Sequence, residues 1–167
     1  MSVRSRRRET TVRAKRARAN GRPAATGAPP ARLDPRTFTA RELMREAERA
    51  QRNAYAPYSR FPVGAALLAE DGTLFHGCNV ENASYGATVC AERNAIHHAV
   101  ATGVRRFTAI AVTAREGNGA PPCGMCRQVL HEFAPRMRVI WRSASGRLVE
   151  RRLDELLPYA FVLKEAP

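Results

Sequence analysis

Apolar and polar positions follow several distinct periods along this chain, and each change of period marks an element. From Thr39 onward Leu43, Ala47 and Ala50 recur at helical spacing to about Asn53, and Thr39 with Glu42 three residues on forms a capping box. The pattern predicts a first helix that ends before Pro57. Residues 61–69 and 73–80 are apolar and β-rich, with Glu70-Asp71-Gly72 between them as a turn signal, so two antiparallel strands of a hairpin are expected. Residues 90–102 read as a second helix closed by Gly103, 107–113 as a buried strand and 124–133 as a third helix. Two further strands, 137–141 and 147–152, flank Ser145-Gly146, and a short helical turn follows from Asp154. Five strands interleaved with helices predict a mixed five-stranded sheet covered on both faces, a three-layer α/β/α sandwich.

Composition divides the chain in two. Residues 1–36 mix Arg, Ala, Gly and Pro with almost no large apolar side chain, and such a segment cannot bury enough surface to offset the entropy of ordering it. The expected organisation is therefore a disordered basic tail, 1–36, and one domain, 37–167, long enough to hold a core without disulfides. The tail carries 11 Lys/Arg against Glu9 and Asp34, a net +9 out of the chain's formal +13, which leaves +4 for the domain. That remainder has no basic run longer than a pair, so the charge belongs to the tail, and nucleic acid is not an expected partner of the domain. The tail itself reads as an arm for anionic surfaces, as an Arg-rich transit peptide or as a passive extension. No apolar run approaches the roughly 20 residues of a membrane span, and no apolar stretch follows Arg6-Arg7-Arg8. A soluble, cytoplasmic protein is expected.

Four cysteines change the picture from fold to chemistry. Cys123 and Cys126, in Pro122-Cys123-Gly124-Met125-Cys126, fall at i and i+3 of a helix start, and Cys90 opens another helix. Helix N-termini lower thiol pKa values and favour three thiolates around one zinc, with the fourth coordination position open for water. Glu92, two residues after the first thiol, becomes the candidate proton carrier. Arg93 reads either as a hydrogen-bond donor to a zinc thiolate or as an exposed helix arginine. Cys78, at a strand end, reads as a buried free thiol, the alternative being a fourth ligand in a structural site. Cys-x-Glu followed by Pro-Cys-x-x-Cys is the signature of zinc deaminases.

From residue 39 to about 161 the chain resembles the small, homotetrameric cytidine deaminases. The resemblance rests on Tyr55-Ala56-Pro57-Tyr58-Ser59, Phe61-Pro62-Val63-Gly64-Ala65-Ala66, Gly77-Cys78-Asn79-Val80-Glu81-Asn82-Ala83, Cys90-Ala91-Glu92-Arg93, Pro122-Cys123-Gly124-Met125-Cys126-Arg127-Gln128 and Leu156-Leu157-Pro158. It implies one Zn2+ per subunit on Cys90, Cys123 and Cys126, and a zinc-activated water that attacks C4 of cytidine or 2′-deoxycytidine. Glu92 carries the proton to N3 and then to the departing amino group, and the expected role is pyrimidine salvage. It further implies that Asn79 and Glu81 bind the ribose hydroxyls, with Glu81 holding the 3′-OH, that Phe61 packs beside the nucleoside and that the Ala91 N–H meets the pyrimidine carbonyl. Tyr85 joins the substrate-binding residues, and Phe161 either reaches a neighbouring subunit's pocket or packs an interface. An amide and a carboxylate two apart on a strand point to one side, which suits adjacent hydroxyls, although the same pair suits a solvated hairpin edge. Three rivals remain: a polynucleotide-editing deaminase, a deaminase of blasticidin-type nucleoside antibiotics and a structural zinc module.

Overall fold

A computed structural model describes residues 31–114 and 121–163. The chain runs through α1 (Ala40–Gln51), β1 (Val63–Ala69), β2 (Leu74–Cys78), a 3-10 turn (Tyr85–Ala87), α2 (Ala91–Ala101), β3 (Phe107–Ala114), α3 (Gly124–His131), β4 (Arg138–Arg142), β5 (Leu148–Arg152) and α4 (Leu153–Leu156). The strands form one sheet in the order β2-β1-β3-β4-β5. All neighbours pair antiparallel except β3 and β4, whose parallel pairing requires the crossover that α3 supplies. The mixed five-stranded sheet and its covering on both faces match the sequence expectation.

β1 is buried on both faces, and its apolar run divides by pleat. Ala65, Leu67 and Ala69 enter the core beneath α2 with Ile96, Ile110, Val112, Leu130 and Val139. Ala66 and Leu68 enter the opposite core with Leu43, Met44, Ala47, Ala111 and Ile140, beneath α1. The register slips between Leu68 and Ala69, opposite Phe107–Ala109, so Phe107 and Ile110 share a face despite their odd spacing. α1 begins in the expected capping box: Thr39 Oγ1 accepts from the Glu42 N–H at 3.2 Å, and the Glu42 carboxylate accepts from the Thr39 N–H at 2.7 Å. Two glycines let helices rest on strand backbone. A Cβ on Gly64 would lie 2.2 Å from the Ala47 carbonyl oxygen, and one on Gly77 would lie 2.2 Å from that of Ala91. The second approach sets the height of the first turn of α2, which carries the candidate chemistry.

Element boundaries fall within two residues of expectation, and three departures, two of them at strand ends, have a local reason. β2 ends at Cys78, so Asn79 and Glu81 lie just past the strand and not on it. Asn79 keeps a backbone bond to the Val63 carbonyl at 3.1 Å, while its side chain pairs with backbone at residues 61 and 63, and the regular strand goes no further. β1 starts at Val63 because Arg60 takes a left-handed φ of 56° and Pro62 has no N–H to offer a ladder. Finally, residues 31–36, placed in the expected tail, join the fold: the Leu33 N–H donates to the Gly72 carbonyl at 2.9 Å and the Leu74 N–H to that of Ala31 at 3.0 Å. Leu33 also packs against the α1-side core. An averaged composition hid this one leucine and the free backbone groups of a hairpin end. Residues 1–30 lie outside the described residues.

Deleting residues 1–36 should therefore cost about 2–3 kcal/mol, from one partly buried leucine and two backbone hydrogen bonds. Deleting 1–30 removes none of these contacts. Denaturant midpoints of the two truncations should differ accordingly, and equal midpoints would show that the 31–36 pairing contributes nothing.

Candidate metal centre and its surroundings

Cys90 is the N-cap of α2 and Cys123 the N-cap of α3, with Cys126 one turn further in. Neither N-cap sulfur makes a capping bond to its own helix, so both are left to face the gap between the two helix starts. The sulfurs of Cys90, Cys123 and Cys126 all lie within 4.8 Å of one another, and among the described residues no fourth ligand-type side chain joins the group. A tetrahedral Zn–S bond of about 2.3 Å separates sulfurs by about 3.8 Å, so the trio needs little adjustment to hold that ion. Cys78 stands apart: its Sγ donates to the Asn53 carbonyl at 3.3 Å, and burial pushes its thiol pKa up.

The electrostatics ask for a cation. The Cys90 thiol is pulled down to about 5, chiefly by the Cys126 sulfhydryl bonded to it and then by Arg93, while Cys126 is pushed far up by that same bond and by burial. Cys90 and Cys126 thus share one proton between them, the place a dication held by the three sulfurs would take. Arg93 is half-buried, not on an exposed helix face. Its Nη2 donates to the Thr88 carbonyl at 2.9 Å and lies 3.9 Å from the Cys90 sulfur, while its buried Nε has no protein partner among the described residues. A soft, three-thiolate donor set with an arginine beside it suits zinc.

Glu92 lies in the first turn of α2 and is 4% exposed. Burial raises its carboxyl pKa above the ordinary value, and the Cys90 charge raises it further. It is not one of the sulfur group, which leaves it a neighbour of the site and not a ligand. Ala91 is buried as the first residue of the same helix, where the backbone N–H has no intrahelical acceptor.

The remaining predicted residues gather around the 58–63 segment, with one exception. Asn79, 8% exposed, accepts from the Val63 N–H at 2.8 Å through Oδ1 and donates to the Phe61 carbonyl at 3.0 Å through Nδ2. Glu81 accepts from the Tyr58 N–H at 2.9 Å, the Ser59 N–H at 3.2 Å and the Ser59 hydroxyl. The Ser59 hydroxyl is the main cause that holds the Glu81 carboxyl below its usual range. Both side chains thus reach back to the same 58–63 segment. Glu81 and Tyr85 line a cleft of about 330 Å3 with Tyr58, Ser59 and Thr88, and Tyr85 meets Tyr58 edge-on, with centroids 6.4 Å apart. Phe61 is half-buried and is not among the residues that line this cleft. Phe161 is the exception: it is 69% exposed, and its backbone N–H and C=O pair with the side-chain amide of Gln128 on α3 at 3.1 and 2.8 Å.

Several participants had no assigned role in the sequence reading. Ser59 closes a sequence motif, and its hydroxyl also accepts from the Phe61 N–H at 3.0 Å, so it builds the turn that holds Glu81. Pro-x-Ser before a strand is a turn signal that points to it. Arg127 ties the start of α3 to the chain's end, donating to the Pro122 carbonyl at 2.7 Å and to that of Leu156 at 2.9 Å. Asn94 fixes α2 to the end of β2 by donating to the Cys78 carbonyl at 2.8 Å. Neither residue type signals such a bond from sequence.

Comparison with known proteins agrees with this geometry. The family model for the cytidine and deoxycytidylate deaminase zinc-binding region matches residues 38–142. The cytidine deaminase of Sporosarcina psychrophila is 51% identical over 121 residues, covering 72% of this chain and 89% of its own. That of Mycobacterium tuberculosis strain H37Rv is 45% identical over 125 residues, 75% of this chain and 91% of its own. The crystal structure of cytidine deaminase from Burkholderia pseudomallei superposes with a TM-score of 0.71 at 47% identity, covering 74% of this chain and all of the other. A match that runs from the first helix to the fourth strand, with relatives near half identical across almost their whole length, makes this chain a member of the cytidine and deoxycytidylate deaminase family.

Proposed function

We propose that this chain hydrolyses cytidine and 2′-deoxycytidine to uridine and 2′-deoxyuridine with release of ammonia, using one zinc held by Cys90, Cys123 and Cys126. The observation that carries the reading is the convergence of three sulfurs from two helix starts beside a buried carboxyl in the same helical turn. A zinc ion there supplies Lewis acidity that lets a water ionise near neutral pH. Glu92 would take one proton from the attacking water and place it on N3 of the pyrimidine, then move the second, from the hydroxyl formed on C4, to the amino group as the C4–N bond breaks. Its buried setting suits a carboxyl that must be both acid and base in one turnover. The Ala91 N–H donates to the pyrimidine carbonyl, and Arg93 donates toward the Cys90 sulfur and steadies the thiolate charge.

Glu81 is the principal ribose acceptor. Its carboxylate stays ionised and fixed by Ser59 and Tyr58, in a cleft floored by aromatic rings. Asn79 already has its oxygen and one amide hydrogen engaged with residues 61 and 63. Its remaining hydrogen is available to a hydroxyl, and its larger part is to hold the Phe61 backbone against the nucleoside. Tyr85 closes the cleft at its outer side. Tyr159, Phe161, Val162 and Leu163, 62–95% exposed, form an apolar run pinned by Gln128. We place a neighbouring copy of the chain against it, with Phe161 at that neighbour's pocket, within the homotetramer that the resemblance implies. A cytoplasmic role in pyrimidine salvage completes the reading. No helix among the described residues is long and apolar enough to cross a membrane.

The test is loss of the cytosine absorbance band with four compounds: cytidine, 2′-deoxycytidine, cytidine 3′-monophosphate and a cytosine-containing oligonucleotide. Both nucleosides should be converted, while the two phosphate-bearing compounds fail because a 3′-phosphate meets the Glu81 carboxylate. Conversion of the oligonucleotide would transfer the chain to the polynucleotide deaminases, and conversion of none would leave a zinc module.

A further inference from the structure

The sheet face opposite α2, α3 and the sulfurs carries a second cleft, of about 600 Å3, between α1 and the β4–β5 hairpin. Arg41 and Arg45, one turn apart on α1, line it together with Arg142 at the end of β4 and Arg147 just before β5. Glu48 is the one carboxylate in the lining, so the wall carries a net charge of +3. Glu48 also orients the site: its Oε1 accepts from Arg142 Nη2 at 3.1 Å, while Arg142 Nη1 donates to the Gly146 carbonyl at 3.2 Å. One guanidinium is thus held in place from both walls. Among the described residues Arg41, Arg45 and Arg147 form no salt bridge.

This arrangement runs against the local electrostatics. Like charges at i and i+4 destabilise a helix, and Arg41 sits in the first turn of α1, where the macrodipole favours acidic residues; Glu42 and Glu48, three residues either side of Arg45, offset part of this cost. Four arginines line one hollow and only Arg142 among them is paired, with Glu48, so an anion entering it meets uncompensated positive charge. Each presents a planar fork that matches phosphate oxygens in pairs. The hollow falls within the about 300–1,000 Å3 typical of small-molecule sites. Leu148 and the arginine stems supply apolar surface beside the charge, and no aromatic side chain lines it to stack the bases of a strand.

We propose that this cleft binds the polyphosphate chain of a nucleoside di- or triphosphate, at a site separate from the deaminase centre. The free nucleoside, lacking phosphate, has no partner there. The site escapes a reading of charge along the sequence because its arginines are spread from position 41 to position 147 with no basic run around them.

Calorimetric titration of the full-length, zinc-loaded protein with ATP, inorganic tripolyphosphate, adenosine and a short single-stranded RNA tests it. ATP and tripolyphosphate should bind, adenosine should not, and the double variant Arg45→Gln/Arg147→Gln should lose about 100-fold in affinity for both anions, about tenfold for each charge-assisted contact. The single variant Arg41→Gln should lose about tenfold. Turnover of cytidine without added anion, and zinc content, should stay within about twofold of the parent, since these side chains lie on the face away from the sulfurs. Unchanged anion affinity in the double variant would assign the binding to other arginines and overturn the site, as would absence of binding to the parent. Tighter binding of the RNA than of ATP, lost in the same variant, would also overturn it and make the face a nucleic-acid surface.

Discussion

Glu92→Gln should lower kcat for cytidine by about four orders of magnitude, at the upper end of what one positioned acid–base group supplies, because the same carboxyl serves more than one proton transfer. Glutamine matches the shape of the side chain and can still hydrogen-bond, so substrate affinity should change far less than turnover. Zinc content should remain near one per chain, as Glu92 is not among the three grouped side chains. In the zinc-free chain the substitution also removes a carboxyl whose ionised form burial disfavours. A group with a raised folded pKa stabilises below its unfolded value and loses that contribution as pH rises, so stability of the zinc-free variant at neutral pH should not fall. Single-turnover measurements with metal analysis on one sample separate these effects. Turnover within tenfold of the parent in a zinc-loaded variant would remove Glu92 from the proton path.

The part of this site that was legible in the sequence is the part built on local spacing. Cys90 and Cys123 occupy the N-cap positions of their helices, and a motif of three or four residues fixes where a side chain leaves the first turn of a helix. The capping box at Thr39 and the turn at Gly72, with its φ of 88°, were legible for the same reason. The strands of the sheet were readable because β1 and β3 are buried on both faces and show near-continuous apolar runs.

What escaped depends on contacts between distant segments. Asn79, just past its strand, accepts from Val63, 16 residues away, and Ser59 and Glu81, 22 residues apart, build each other's position. Glu48 meets Arg142 across 94 residues, and only that meeting turns scattered arginines into a charged hollow. The short 3-10 turn at Tyr85–Ala87 has no periodicity to announce it. Leu33 illustrates a different failure, since one apolar residue in a basic segment is invisible to composition and still enough to seat the chain on a hairpin.

Cys126→Ala should weaken zinc binding by at least about a thousandfold and abolish measurable turnover, since two sulfurs cannot close the three-thiolate site. The comparison with Cys123→Ala separates metal from packing. Cys123 is exposed, whereas Cys126 is fully buried in α3. Both variants should lose the metal, but only the second leaves a hole in the protein, at a further cost of about 1 kcal/mol. Both should still fold, with an unchanged far-ultraviolet circular dichroism spectrum, because the two clusters of apolar residues that sandwich the sheet are assembled without any of the three sulfurs. Cys78→Ser supplies the control: its sulfur bonds the Asn53 carbonyl and stands outside the group, so zinc should remain near one per chain. Zinc retained by Cys126→Ala, or lost by Cys78→Ser, would mean that the metal is held by a different set of atoms. In that case the three sulfurs beside Glu92 would not be what holds the ion, and the proposed water activation there would lose its basis.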